Sequence, residues 1–126
     1  MIHYLDTQVI VWLCEKQLTR LTRKAAAAIE ESDLLISPVV LLELQYLYEI
    51  HKILEPPQVL LNQLESQIGL QLCDHAFAPV IEAALFEGWT RDPFDRIIVA
   101  HAKANGYTPL ITSDRDIRRH YSRSVW

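Results

Sequence analysis

Short apolar runs that end at or near a carboxylate recur along this chain, and they restrict the fold more than any other feature. Ile2-His3-Tyr4-Leu5 stops at Asp6, and Pro109-Leu110-Ile111-Thr112 runs into Ser113-Asp114. Leu34-Leu35-Ile36 and the stretch 70–73 are two more runs of strand length, and segments of helical spacing separate all of them. Runs this short and this continuously apolar suit strands covered on both faces. Their alternation with helices predicts an α/β fold with a parallel sheet. Ligands of such sheets bind beyond the carboxyl ends of the strands. Asp6 and Asp114 stand there directly. Glu43 follows Val39-Val40-Leu41-Leu42, about one and a half turns into the helix after the second strand. Asp95 follows Pro93-Phe94 at the start of a later helix. All four can converge on one rim.

A carboxylate at the edge of a core is costly to desolvate without compensation. Four of them suggest a shared compensating charge, and hard oxygen ligands favour Mg2+ or Mn2+. The two cysteines, Cys14 and Cys73, form no zinc spacing. They read as buried thiols in a reducing compartment, with a disulfide left open. With 126 residues and half of them hydrophobic, one domain over 1–126 with a real core is expected. The net charge of −4 is not the strongly basic balance of a typical nucleic-acid binder. Metal held by some of the acids would reverse that field locally. No apolar run approaches the ~20 residues of a membrane span, and a cytoplasmic protein is expected.

The helical expectations are specific. A short helix over 9–14 takes Thr7 as its N-cap, and an alanine-rich helix spans 19–31. Ser37-Pro38 opens a helix to about residue 53. Pro56-Pro57 starts another, which Gly69 ends. Further helices are expected over 76–86, 94–104 and 114–120. Ser124-Val125-Trp126 is the candidate for a fifth, edge strand.

The order and separation of these pieces resemble the PIN-domain ribonucleases, and within them the toxins of bacterial VapBC toxin–antitoxin pairs. Asp92-Pro93-Phe94-Asp95-Arg96, then a helix, then Leu110-Ile111-Thr112-Ser113-Asp114 carries the resemblance, with Leu5-Asp6-Thr7 and Leu42-Glu43-Leu44 ahead of it. The likeness covers essentially the whole chain. Leu41-Leu42 stands where an aromatic often precedes the acid. The resemblance implies a three-layer α/β/α PIN-like fold on a sheet of about five parallel strands. It implies metal-dependent RNA cleavage leaving a 5′-phosphate and a 3′-hydroxyl. It also implies an antitoxin partner whose tail lies along the acidic groove, and a homodimer. The family's catalytic acids carry over onto Asp6, Glu43, Asp95 and Asp114, and Thr112 matches a hydroxyl that shapes the pocket. Asp92 and Asp116 are extra acids nearby, either supporting ligands or caps.

Phosphodiester hydrolysis needs an aligned nucleophile and relief of transition-state charge, which divalent metals supply. Asp6 and Asp95 are then the central ligands, Asp114 completes the shell, and Glu43 bridges or orients water. No histidine lies beside these acids in the sequence, and none is needed when a metal lowers the pKa of water. Arg96, Arg115, Arg118, Arg119 and Arg123 are candidate contacts for RNA phosphates, and Trp89 for a base. Each residue also has a plainer reading. The aspartates can cap helices, Glu43 can pair with a buried cation, the arginines can form a solvated face, and Trp12 and Trp89 can simply pack. A phosphoacceptor receiver domain fits less well, since Asp74 follows the third strand but no lysine follows Lys103. A dehalogenase-type phosphatase would need Asp-x-Asp, which Asp6-Thr7-Gln8 fails. A PIN-like module that binds RNA or a partner without cutting is the remaining alternative, and such modules usually lose acids.

Overall fold

The computed structural model describes all 126 residues. Five parallel strands form one sheet: β1 (Ile2–Leu5), β2 (Asp33–Ile36), β3 (Gln71–Leu72), β4 (Leu110–Ile111) and β5 (Ser124–Val125), in the order β3-β2-β1-β4-β5. Helices cover both faces, which gives the three-layer α/β/α architecture. They are α1 (Thr7–Cys14), α2 (Arg23–Glu31), α3 (Val39–Glu49), α4 (Pro57–Ile68), α5 (Phe77–Ala84), α6 (Pro93–Ala104) and α7 (Arg115–His120). From β1 the chain winds outward through β2 to β3, then returns to lay β4 on the other side of β1. The direction of winding therefore reverses between β1 and β4, where Tyr4 pairs with Leu110 and Leu5 with Ile111. Such a reversal opens a crevice at the carboxyl ends of the two strands.

The core lies along this central pair. Tyr4, Leu5, Leu110 and Ile111 are essentially inaccessible, as are Ile10, Leu44, Ile98 and Ile117 from the helices. Leu44 is the neighbour of Glu43 and anchors that part of α3. Leu44→Ala removes a fully buried side chain, so unfolding in urea should show a loss of ~2–5 kcal/mol. A loss below ~1 kcal/mol would mean α3 is not held by this contact.

Local capping moves several helix ends from their expected places. The Asp6 carboxylate, not Thr7, caps α1, accepting from Thr7 N at 2.8 Å, so the helix starts at Thr7. The expected helix over 19–31 is split into a 3-10 turn (Leu18–Arg20) and α2, because the Thr22 hydroxyl accepts from Ala25 N and begins a new helix. α3 stops at Glu49, four residues short of expectation, and His51 follows with φ +61°. No glycine marks that turn in the sequence. Gly69, at φ +69°, closes α4 in the left-handed conformation expected for it. Cys73 donates its backbone N–H to Ile36 O, so β3 bonds on past its two ladder residues.

A buried polar network ties the sheet to α6. Tyr4 Oη donates to Cys73 Sγ at 3.0 Å and accepts from Asn105 Nδ2 at 2.9 Å. His101 has no accessible surface, and its Nδ1 lies 2.8 Å from Ser37 Oγ. Burial, with a smaller contribution from His75, pulls His101 down to about 4 and keeps it neutral. Both cysteines are free thiols, Cys73 buried and Cys14 half-buried. No helix is long and apolar enough to cross a membrane.

Candidate active site

The crevice between β1 and β4 is built by the residues that end those strands. Asp6 leaves β1 and caps α1, which turns its carboxylate back to the sheet edge. Asp114 leaves β4 and caps α7 by accepting from Ile117 N at 2.9 Å. Thr112 joins them. Its buried hydroxyl donates to Asp6 Oδ2 at 2.6 Å and accepts from Asp114 N at 3.0 Å. A single side chain thus fixes one carboxylate and the backbone carrying a second. α3 brings in Glu43, whose Oε1 accepts from Thr7 Oγ1 at 2.5 Å. No cation pairs with Glu43; the one salt bridge of the chain joins Lys103 to Glu87.

Asp95 arrives on the first turn of α6. Pro93 stands at the helix start, and Asp92 caps it by accepting from Phe94 N and Asp95 N. Asp92 thus has the cap role, and its charge also acts on Asp6, Glu43 and Asp95. The loop ahead of it is strapped to α6. Arg96 Nε donates to Glu87 O at 2.8 Å, and Trp89 Nε1 donates to Glu87 Oε2 at 2.6 Å. The almost buried Glu87 carboxylate is closed by Lys103. Trp89 stacks on His120 with ring centroids 4.9 Å apart. Arg96 and Trp89, read from sequence as RNA contacts, therefore already hold protein partners.

Electrostatics set Asp6, Glu43 and Asp95 apart from ordinary surface acids. Burial pushes Asp95 up to about 8, and Asp92, Asp6, Asp114 and Glu43 push it further in that direction. Its strongest neighbouring charges are thus all carboxylates. Burial raises Glu43 to about 6, against the Thr7 hydrogen bond and with help from Asp6 and Asp92. Asp6 is buried and raised chiefly by that burial, although Thr112 and Thr7 favour its charged form. Of the four, Asp95 alone accepts no hydrogen bond from the protein.

Four acids repelling one another at the mouth of a crevice lack a positive partner, and they offer the hard oxygen donors that Mg2+ or Mn2+ takes. The donor chemistry fits such an ion. As the side chains stand, no three His, Cys, Asp or Glu groups close around a common point.

The remaining sequence candidates lie outside this crevice or at its border. Asp116 is exposed in the first turn of α7, as a helix-start charge. Arg115, Arg118 and Arg119 are exposed along the same helix. Thr7 is a hydroxyl whose place in the crevice the sequence does not give. It was expected to cap α1, and only its long-range bond to Glu43 shows its position in the site.

A family model described as "PIN domain" matches residues 3–122. Among solved structures, the chain is similar to the crystal structure of VapBC2 from Rickettsia felis bound to a DNA fragment from their promoter. The identity is 21%, the TM-score is 0.64, and the match covers 100% of each chain. No curated protein matches the chain in sequence.

Proposed function

The chain belongs to the PIN domain family, and from that premise we propose that it is a metal-dependent endoribonuclease acting as the toxin of a type II toxin–antitoxin pair. The observation that carries the reading is Asp95, raised to about 8 among four other carboxylates at the β1–β4 crevice with no protein cation facing it. A family of nucleases supplies the hydrolytic chemistry, and the acids supply a place for its cofactor. Asp6, Asp95, Asp114 and Glu43 would hold Mg2+ or Mn2+, which supplies an activated water and neutralises charge on the scissile phosphate.

The chain's own residues do the rest. Thr112 keeps Asp6 aimed into the crevice and fixes the Asp114 backbone. Thr7 orients Glu43, whose carboxylate at about 6 is suited to accept a proton from water near neutral pH. The Glu87–Arg96–Trp89 strap fixes the loop that delivers Asp95. Replacing Thr112 by Val keeps its shape but removes both hydrogen bonds. Cleavage should fall ~10–100-fold, as when a ligand-orienting partner is lost, while the circular dichroism spectrum stays that of the wild type. An unchanged kcat/KM would remove Thr112 from the site.

A protein partner also has a surface available. Leu42 and Tyr46 on α3 and Ile50 just past its end stand at i, i+4, i+8 and are 61%, 52% and 42% exposed. An antitoxin or a second copy of the chain is the cover this reading provides for them. The test of the function is direct. Purified protein is incubated with total cellular RNA and Mg2+ or Mn2+, or with EDTA, and new 5′-phosphate ends are mapped. Discrete ends that appear with metal and vanish with EDTA support the reading. Their absence with a folded protein, across several RNA pools, favours a non-cutting module.

A further inference from the structure

A concavity of about 480 Å³ has walls that carry Lys24, Arg115, Arg118 and Arg119. Tyr121, Ser122, Ser124 and Trp126 complete its lining, and no Asp or Glu side chain is part of it. It draws on three separate parts of the chain. Lys24 comes from α2, the arginines from α7, and the serines from the approach to β5 and from β5 itself. α2 and α7 both pack against β5, so the fold, not sequence proximity, gathers these charges. None of the four cations is in an ion pair. Asp116 lies on the same helix but outside the lining. Four like charges converging with no Asp or Glu side chain between them, in a chain of net charge −4, cost repulsion that an anionic ligand would relieve.

The shape of the site narrows the anion. Its lining is predominantly polar, and three guanidinium groups can each offer paired N–H donors to phosphate oxygens. The Ser124 hydroxyl already donates to Tyr121 O at 2.7 Å, so Ser122 is the hydroxyl left for a ligand. The position narrows it further. Arg115 immediately follows Asp114, and six-residue α7 is ~9 Å long at 1.5 Å per residue. The pocket therefore begins within one short helix of the acids.

We propose that this pocket binds backbone phosphates of the RNA strand beside the scissile bond, and so sets where the strand lies across the acids. The proposal rests on the ribonuclease reading for the identity of the strand, while the anion site itself rests on the pocket. Contacts of this kind position a strand without reading its sequence.

The test separates binding from cutting. A fluorescein-labelled mixed-sequence 12-nucleotide RNA is titrated with full-length protein in EDTA, and anisotropy is read across a salt series. The variant is K24Q/R118Q, two exposed side chains outside the acid cluster, with melting temperature checked against wild type. The double variant should bind RNA ~10-fold more weakly at 0.1 M salt. Its log K against log salt slope should fall by ~1.4, for two lost contacts to a single strand. Equal affinity and slope in the two proteins would overturn the proposal, even if wild type cuts RNA with metal. Weaker binding by the variant, with no cutting by the wild type, would keep the phosphate site and sink the nuclease reading. Two competitors resolve the source of the anion. If pyrophosphate displaces the RNA only from wild type, the phosphate site is supported. If the variant loses affinity for poly-glutamate but not for RNA, the site serves an acidic protein segment and the RNA assignment falls.

Discussion

Asp95→Asn should abolish RNA cleavage, by ~10³-fold or more, and at the same time make the metal-free protein more stable. The two effects share one cause. Asp95 is held at about 8, first by burial and then by Asp92, Asp6, Asp114 and Glu43. In the unfolded chain it titrates near 3.8. Between those values the folded state binds the extra proton, so stability falls as pH rises through that window. The cost is complete above about pH 8 and small near pH 4. Each pK unit is worth ~1.4 kcal/mol, but the side chain is only partly buried and solvent relieves much of the repulsion. A gain of roughly 2 kcal/mol at pH 8.5, seen as a rise in Tm of about 5–10 °C, is the expected size. At pH 5 the gain should shrink. A catalytic loss of ~10³-fold corresponds to several kcal/mol of transition-state stabilisation, as expected when a metal ligand is removed. Lower stability in the variant would make Asp95 a structural residue instead.

Divalent cation should produce the second large effect, again read in stability. An ion that binds only the folded chain stabilises it by RT ln(1 + [L]/Kd), ~2.7 kcal/mol at a hundredfold excess over Kd. Thermal melts of the wild type should therefore climb with Mg2+ or Mn2+ and return to baseline with EDTA. The pH dependence has a definite sign. Glu43 at about 6 and Asp95 at about 8 must release protons to act as ligands, so apparent metal affinity should rise from pH 6 to pH 8.5. Asp95→Asn should show little of either response. A metal-induced shift equal in wild type and variant would place the ion elsewhere.

Features carried by local chemistry could be read from the sequence. The continuous apolar runs marked β1 and β2, Gly69 marked the end of α4, and Pro93 after Asp92 marked the start of α6. The parallel three-layer fold followed from their alternation. The four candidate acids stand out in the sequence because each follows or interrupts an apolar run, and the family resemblance assigns them their role. Features that depend on long-range contacts were not readable. Nothing near Thr7 says that its hydroxyl will meet Glu43, 36 residues away. Nothing near Arg96 says that Glu87 O will take its Nε–H. Lys24, in an alanine-rich helix, joined the arginines of α7 only once β5 had packed between their helices. The break before α2 was readable but weak, since the Thr22 cap competes with a strong alanine run. The turn at His51 had no glycine to announce it.

The central claim is that the acids of the β1–β4 crevice cut RNA with a divalent metal. Single-turnover cleavage of one labelled RNA by wild type and Asp95→Asn, prepared in parallel, with Mn2+ and with EDTA, tests it most directly. The account predicts cleavage by wild type only, only with metal, and a variant that is folded and melts higher without metal. Cleavage of equal rate by the folded variant would contradict it.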